Sequence, residues 1–214
     1  MKHIALFLCV AFSAINITSD ISAQTICDNG FAGEYACDGY DLYTYFPLSS
    51  VGGGDNGNDC WGWVDSESGR EFVLFGRSDG MSVVEITDPL APSFIANLPT
   101  ATYPSLWRDI KVIGDYAFIG SEAGMHGMQI LDLTQVLDLS GFPFNITATS
   151  NYLGFGNAHN LAANPETNYV YGVGTNTFGG GLHIVDVSNP EAPFLAGSYD
   201  GAYSHDVQPV IYNG

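Results

Sequence analysis

The chain has 214 residues, 46% of them hydrophobic and only 13% charged, with 26 Gly, 13 Phe and 12 Tyr; that is ample for a packed core and excludes a disordered tail. Five Lys and Arg against 23 Asp and Glu leave a formal charge of −18, which repels phosphate backbones and anionic lipid heads and argues against nucleic acid as a partner. Sparse charge with plentiful glycine and aromatics suits short strands and tight turns better than surface helices, so the expected class is all-β.

Residues 1–15 carry a basic start and a short apolar core, and small residues follow up to Ser22-Ala23, the anatomy of a secretory signal peptide cleaved after Ala23. The apolar run is too short to span a bilayer, and no later stretch approaches the ~20 apolar residues needed. Cys9 belongs to that run, which leaves Cys27, Cys37 and Cys60 in the mature chain. In an oxidising compartment the short, glycine-containing loop between Cys27 and Cys37 closes a disulfide easily. Cys60 is the odd one out and is expected to lie buried beside Trp61 as a small apolar residue; no Cys-x-x-Cys pair suggests zinc.

Residues 24–58 read as an irregular segment with a short strand at Asp41–Phe46 and a glycine loop at 52–54. Residues 55–59, Asp-Asn-Gly-Asn-Asp, resemble a calcium loop, but Gly57 occupies the third position and no glutamate closes the frame, so a plain surface turn is expected. From residue 59 to 214 the chain becomes periodic. Trp61–Val64, Glu71–Phe75, Met81–Ile86 and Phe94–Leu98 read as one set of strands, and Trp107–Val112, Tyr116–Ile119 and Met128–Leu133 as a second. His159–Ala162, Tyr169–Val173, Leu182–Val187 and Phe194–Ser198 form a third, with turn signals such as Asp88-Pro89 and Asn189-Pro190 between strands. The glycine, apolar, acidic and hydroxyl residues of Gly80–Pro92 recur at Gly127–Gln135 and Gly181–Pro193, a period near 50 that indicates propeller blades. Helix is expected only as a turn or so within 131–139, and an insertion through Phe142–Asn145 lengthens the second unit. Asn145-Ile-Thr147 fits a glycosylation acceptor in a eukaryotic source. A fourth unit starts at Ala202 and contributes one strand; since closed propellers need four to eight blades, the expectation is a truncated propeller of three blades and the start of a fourth, with an open edge.

A second signature repeats at the first strands: Trp61-Gly62, Arg108-Asp109, His159-Asn160 and His205-Asp206. First strands line the channel of a propeller, so these pairs should converge at its mouth. Two readings stand: a hydrogen-bonding device that ties each strand to its neighbour, or a ligand or metal site, calcium or another divalent ion included. Arg108 and Asp109 point to opposite faces of their strand and are not automatically an ion pair. His126 and His183 lie outside the signature and read as incidental. No nucleophile elbow, His-Glu-x-x-His or phosphate loop is present, and Ser204-His205-Asp206, being strand neighbours, cannot form a triad.

The order of Cys27-Asp-Asn-Gly30 with Cys37, Asn58–Trp63, Ser105–Val112, Ser121-Glu122 with His126–Gln129, Gly156–Asn160, Gly181–Asp186 and Tyr203–Asp206 resembles the secreted bacterial proteins built of LVIVD repeats, in particular the choice-of-anchor B family. The resemblance implies a β-propeller exported to the cell surface or released, with a variable C-terminal anchoring segment, and supplies no catalytic residues. The expected function is a non-enzymatic binding or scaffold module with an extracellular protein or glycan ligand and no cofactor. The alternative is a metal-dependent hydrolase or lactonase with His159, His205, Asp109 and Asp206 near the metal.

Overall fold

A computed structural model describes residues 24–139, 141 and 143–212; the expected signal peptide, residues 1–23, lies outside the described residues. The first segment is held by a small hairpin, β1 (Phe31–Ala32) and β2 (Tyr35–Ala36). The Cys27–Cys37 disulfide closes around it, with the two Cα atoms 5.9 Å apart. Asp41–Phe46 does not form the expected strand: Leu42 alone bridges Thr25, and the residues after it find no ladder partner. The segment lies instead across the flank of the first blade, where the Ser82 hydroxyl donates to the carbonyl of Val51. Tyr43, Phe46 and Val51 there bound an apolar groove of about 350 Å³ with Val73, Phe75 and Val84.

Three four-stranded blades follow, each meandering antiparallel. The first is β3 (Gly57–Val64), β4 (Glu71–Arg77), β5 (Gly80–Glu85) and β6 (Ser93–Pro99). The second holds β7 (Arg108–Ile113), β8 (Tyr116–Ser121) and β9 (Met128–Asp132). A 3-10 turn at Leu133–Val136, capped by the Asp132 carboxylate, is the short helical piece anticipated there. The insertion then leaves its own blade: β10 (Phe144–Asn145) runs parallel to β6 and becomes a fifth strand of the first sheet, and β11 (Ser150–Tyr152) returns to complete the second. The third blade is β12 (Asn160–Asn164), β13 (Tyr169–Val173), β14 (Leu182–Asp186) and β15 (Phe194–Tyr199). Residues 202–212 carry no strand, contrary to the expected first strand of a fourth unit. A strand exists through its ladder, and no described residue offers these a partner.

Strands alternate faces, so the middle blade must be apolar on both. Ala117, Ile119 and Leu131 face the first blade and join Trp63, Phe72, Leu74, Met81 and Val83 in one core. Phe118, Met128 and Ile130 face the third blade and pack with Leu161, Val170 and Val185 in a second core. Each large buried side chain contributes about 1.5–3 kcal/mol, so these two seams hold the blades in order. The first strands β3, β7 and β12 lie side by side on the inner edge, as a channel lining requires.

Candidate functional site

At that inner edge lies a cleft of about 470 Å³, lined by Asn58, Asp59, Trp107, Arg108, Asp109, His159, Asn160 and His205. Five of the six candidates from the sequence therefore line one cleft. The exception is Asp206, whose carboxylate caps the backbone N–H of Val207 and is not among the lining residues. The alignment of Trp61-Gly62 with the other pairs is corrected by the geometry. Asp59 accepts the N–H of Ile110 at 2.8 Å, and Asp109 accepts the N–H of Leu161 at 2.5 Å. Asn58-Asp59 is thus the first-blade equivalent of Arg108-Asp109 and His159-Asn160, one position after which comes the residue that seats against the preceding blade. Ile110 and Leu161 do this where β4 and β8 carry Gly76 and Gly120: a Cβ on Gly76 would lie 3.4 Å from Ile110, and one on Gly120 would lie 3.1 Å from Leu161.

The same register explains Cys60. It stands at the position of Ile110 and Leu161, and among the described residues no blade precedes it, so it is exposed rather than buried beside Trp61. The adjacent Trp61 is itself 42% exposed, with the Lys111 ammonium 4.8 Å from its ring centroid.

Asp59 and Asp109 form a carboxyl pair with Lys111 between them, bonded to Asp109 and 3.5 Å from Asp59. Burial, reinforced by the hydrogen bond that protonated Asp109 donates to Asp59, pushes Asp109 up to about 6. For Asp59, burial acts to raise the value, but the bond to Asp109, the Ile110 N–H and Lys111 together hold it below the usual range. The two therefore divide into one proton carrier and one carboxylate. Both are occupied in tying strands together.

Arg108 does not pair with Asp109. Its side chain is buried and donates to the carbonyl of Arg77, to Thr100 and to Nε2 of His126. Burial, with the neighbouring Arg77, lowers its value to about 10 despite Asp79. His126 is not incidental: fully buried, it accepts from Arg108 on Nε2 and donates from Nδ1 to the carbonyl of Gly127. Burial holds it neutral, with a value of about 4. His183 is likewise buried between Tyr152 and Thr177, each bonded to one ring nitrogen, and burial depresses it to about 4.

What remains directed into the cleft is a pair of imidazoles. His159 Nε2 and His205 Nε2 are 2.8 Å apart, and His159 Nδ1 meets Glu122 Oε1 at 2.5 Å. Asn160 Nδ2 donates to the carbonyl of His205, and the Ser204 N–H donates to that of Gly180, which fixes the segment carrying His205. Trp107 packs edge-on to His159, with centroids 6.2 Å apart. Sequence reasoning missed Asn58, Asp59, Trp107, Lys111 and Glu122. A spacing signal existed only for Asn58-Asp59, 50 residues before Arg108-Asp109; Glu122 reaches His159 from the neighbouring blade.

The fold and the cleft define a set of consecutive propeller blades whose first strands meet at a polar mouth. Residues 107–133 and 156–201, which carry most of the second and third blades, match the model of the LVIVD repeat, and the match supports that repeat family. No curated protein and no solved structure matches the chain.

Proposed function

We propose that this protein is a non-enzymatic β-propeller module, exported to the cell surface or released, that binds an extracellular protein or glycan at the mouth formed by its first strands. The observation that carries the reading is how the cleft spends its polar groups. Asp59, Asp109 and Arg108 are consumed in holding blades together, and no Ser, Thr or Cys is among the lining residues. Such a wall recognises rather than attacks. Trp107 and His205 supply the aromatic and adaptable polar surface that binding sites favour. The disulfide fits an oxidising compartment, and no helix among the described residues is long and apolar enough to cross a membrane. The anchoring arrangement of the choice-of-anchor B proteins belongs to this proposal as well.

The test is an array of immobilised polysaccharides and extracellular proteins probed with wild type and Trp107→Ala. Retention of a probe that falls about tenfold in the variant, at unchanged melting temperature, supports the reading; that loss corresponds to about 1.4 kcal/mol. Equal retention by both proteins, or turnover of simple lactones and esters by the wild type, overturns it.

A further inference from the structure

The two imidazoles at the cleft are arranged as ligands rather than as a strut. A carboxylate only accepts, so the His159 proton sits on Nδ1, facing Glu122, and the Nε2 lone pair points into the cleft. His205 Nε2 lies 2.8 Å from that lone pair, and among the described residues its Nδ1 has no partner. A histidine whose outer nitrogen is held by a carboxylate while its inner nitrogen faces a cavity is the usual dress of a metal ligand, because the carboxylate fixes the tautomer and raises the basicity of the ring. The geometry points to a binding site for one borderline divalent cation, Zn²⁺, Ni²⁺ or Cu²⁺, coordinated by His159 Nε2 and His205 Nε2, with Glu122 positioning His159.

The distances permit it with little movement. Metal–imidazole bonds of about 2.0–2.1 Å at a tetrahedral angle separate the two nitrogens by about 3.4 Å, so the pair opens by roughly half an ångström. The opening falls on His205, which is solvent-exposed and borne on a strandless segment. His159 stays in place, because its Cβ packs against Gly174. On binding, the His205 proton passes from Nε2 to Nδ1 through solvent, which leaves Nε2 of each ring free for the ion. Among the described residues no three His, Cys, Asp or Glu side chains converge as ligands, so water fills the remaining positions. Asp59 and Asp109 lie in the same wall but are committed to backbone N–H groups and Lys111. Two imidazole nitrogens select against calcium and magnesium, which require oxygen. The formal charge of −18 favours any cation at the mouth.

The repeat explains how the pair arises. His159 and His205 stand at the same place in successive units, and that place is Asn58 in the first blade and Arg108 in the second. Only this one junction of the series brings two imidazoles together.

The inference rests on the proposed binding role only in sharing its cleft, and metal alone is the probe, so the two fail separately. Full-length protein without a histidine tag is titrated with Zn²⁺ and Cu²⁺ by calorimetry, and Cu²⁺ coordination is read by pulsed electron paramagnetic resonance. One ion per chain with two imidazoles is expected. His159→Ala and His205→Ala should each abolish saturable binding and, with it, the two-imidazole signal. Glu122→Gln should keep both imidazoles but weaken binding about tenfold or more. His159→Ala keeps the Cβ that seats on Gly174, and melting curves check that each variant folds. No saturable binding by the wild type overturns the site, as does stoichiometric binding retained in either histidine variant. Unchanged affinity in Glu122→Gln would remove Glu122 from its positioning role.

Discussion

At the scale of single residues, burial sorts the titratable groups into two opposing sets. Asp109 carries a value of about 6 against 3.8 for a free aspartate, so between about pH 4 and 6 the folded chain holds a proton that the unfolded chain has released. Its contribution is present on the acid side and is lost as pH rises through 6. His126 and His183 act the other way: held neutral with values near 4 against 6.5, they contribute stability above 6.5 that is lost as pH falls towards 4. With two histidines against one aspartate, the wild type should lose stability on acidification, and Asp109 should offset part of that loss. Asp109→Asn retains an oxygen for the Leu161 N–H but has no proton to take up. Its melting temperature should therefore fall more steeply than that of the wild type between pH 6.5 and 4.5. A slope equal to or shallower than the wild type would show that Asp109 is already ionised in the folded chain.

The residues also show where sequence spacing suffices and where it does not. The Arg108 and His159 positions were legible because each begins or precedes a strand with its own apolar pattern, and His205 because an apolar alternation follows it in the sequence, although no strand forms there. The first-blade member was misplaced by three residues, at Trp61 instead of Asn58, because β3 carries a register shift between Gly57 and Cys60 that inserts residues into the pattern. Cys60 reads as an apolar core position, and in register it is one. Its exposure follows from what packs beside it, a property of the neighbouring blade and not of its own strand. Glu122 lies in a family-like motif, but nothing in that motif ties it to the cleft, since its partner His159 is 37 residues away and joins it across a blade junction.

At the scale of elements, the joint between blades is one repeated device: a carboxylate takes an amide N–H on the first strand of the next blade, and a glycine on the second strand receives the side chain of that same residue. Asp59 with Gly76 holds Ile110, and Asp109 with Gly120 holds Leu161. Gly120 sits in a strand, where glycine ordinarily weakens the sheet, and close approach is what requires it. The same position in the third blade is Val173, opposite Asn160, and the joint after it changes character, with Asn160 donating to the carbonyl of His205. Gly120→Val should drive two methyl groups into Leu161 and cost about 1–3 kcal/mol, as overpacking does. Urea unfolding measures this as a lower midpoint at unchanged slope. The pair Gly120→Val with Leu161→Ala should recover part of the loss if the clash is local, whereas simple additivity would place the strain elsewhere.

The strands themselves were legible almost throughout, because each blade repeats an apolar alternation between turn signals. What the pattern could not give was partnership. The insertion at 142–145 was visible as extra length, but its pairing with β6 of the preceding blade depends on an edge 48 residues away. Phe144 is 40% exposed there, so little apolar burial directs the pairing. Val207–Ile211 carries strand-forming residues and yet forms none, since β propensity is realised only on a partner.

At the scale of the whole molecule, charge is distributed with a consistent logic. The chain has five Lys and Arg, four of them among the described residues, and each of those four is drawn inward. Arg70 clamps Glu85, Arg77 meets Asp79, Arg108 is bonded within the first-blade seam, and Lys111 bridges the Asp59–Asp109 pair. The cations serve as internal fasteners, which leaves the surface to carboxylates that lack positive neighbours. Folding concentrates this negative charge, and the resulting repulsion opposes the compact state. Salt should therefore stabilise the protein: raising NaCl from 10 mM to 500 mM shortens the screening length from about 30 Å to about 4 Å, which quenches repulsion between surface carboxylates but reaches buried pairs much less. The melting temperature at pH 7.5 should rise across that range. Arg70→Gln would remove a partly exposed fastener whose bond to Glu85 is itself screened, so the variant should gain more from salt than the wild type. A fall in melting temperature with salt would mean that the internal ion pairs, and not the surface repulsion, dominate the electrostatics of the fold.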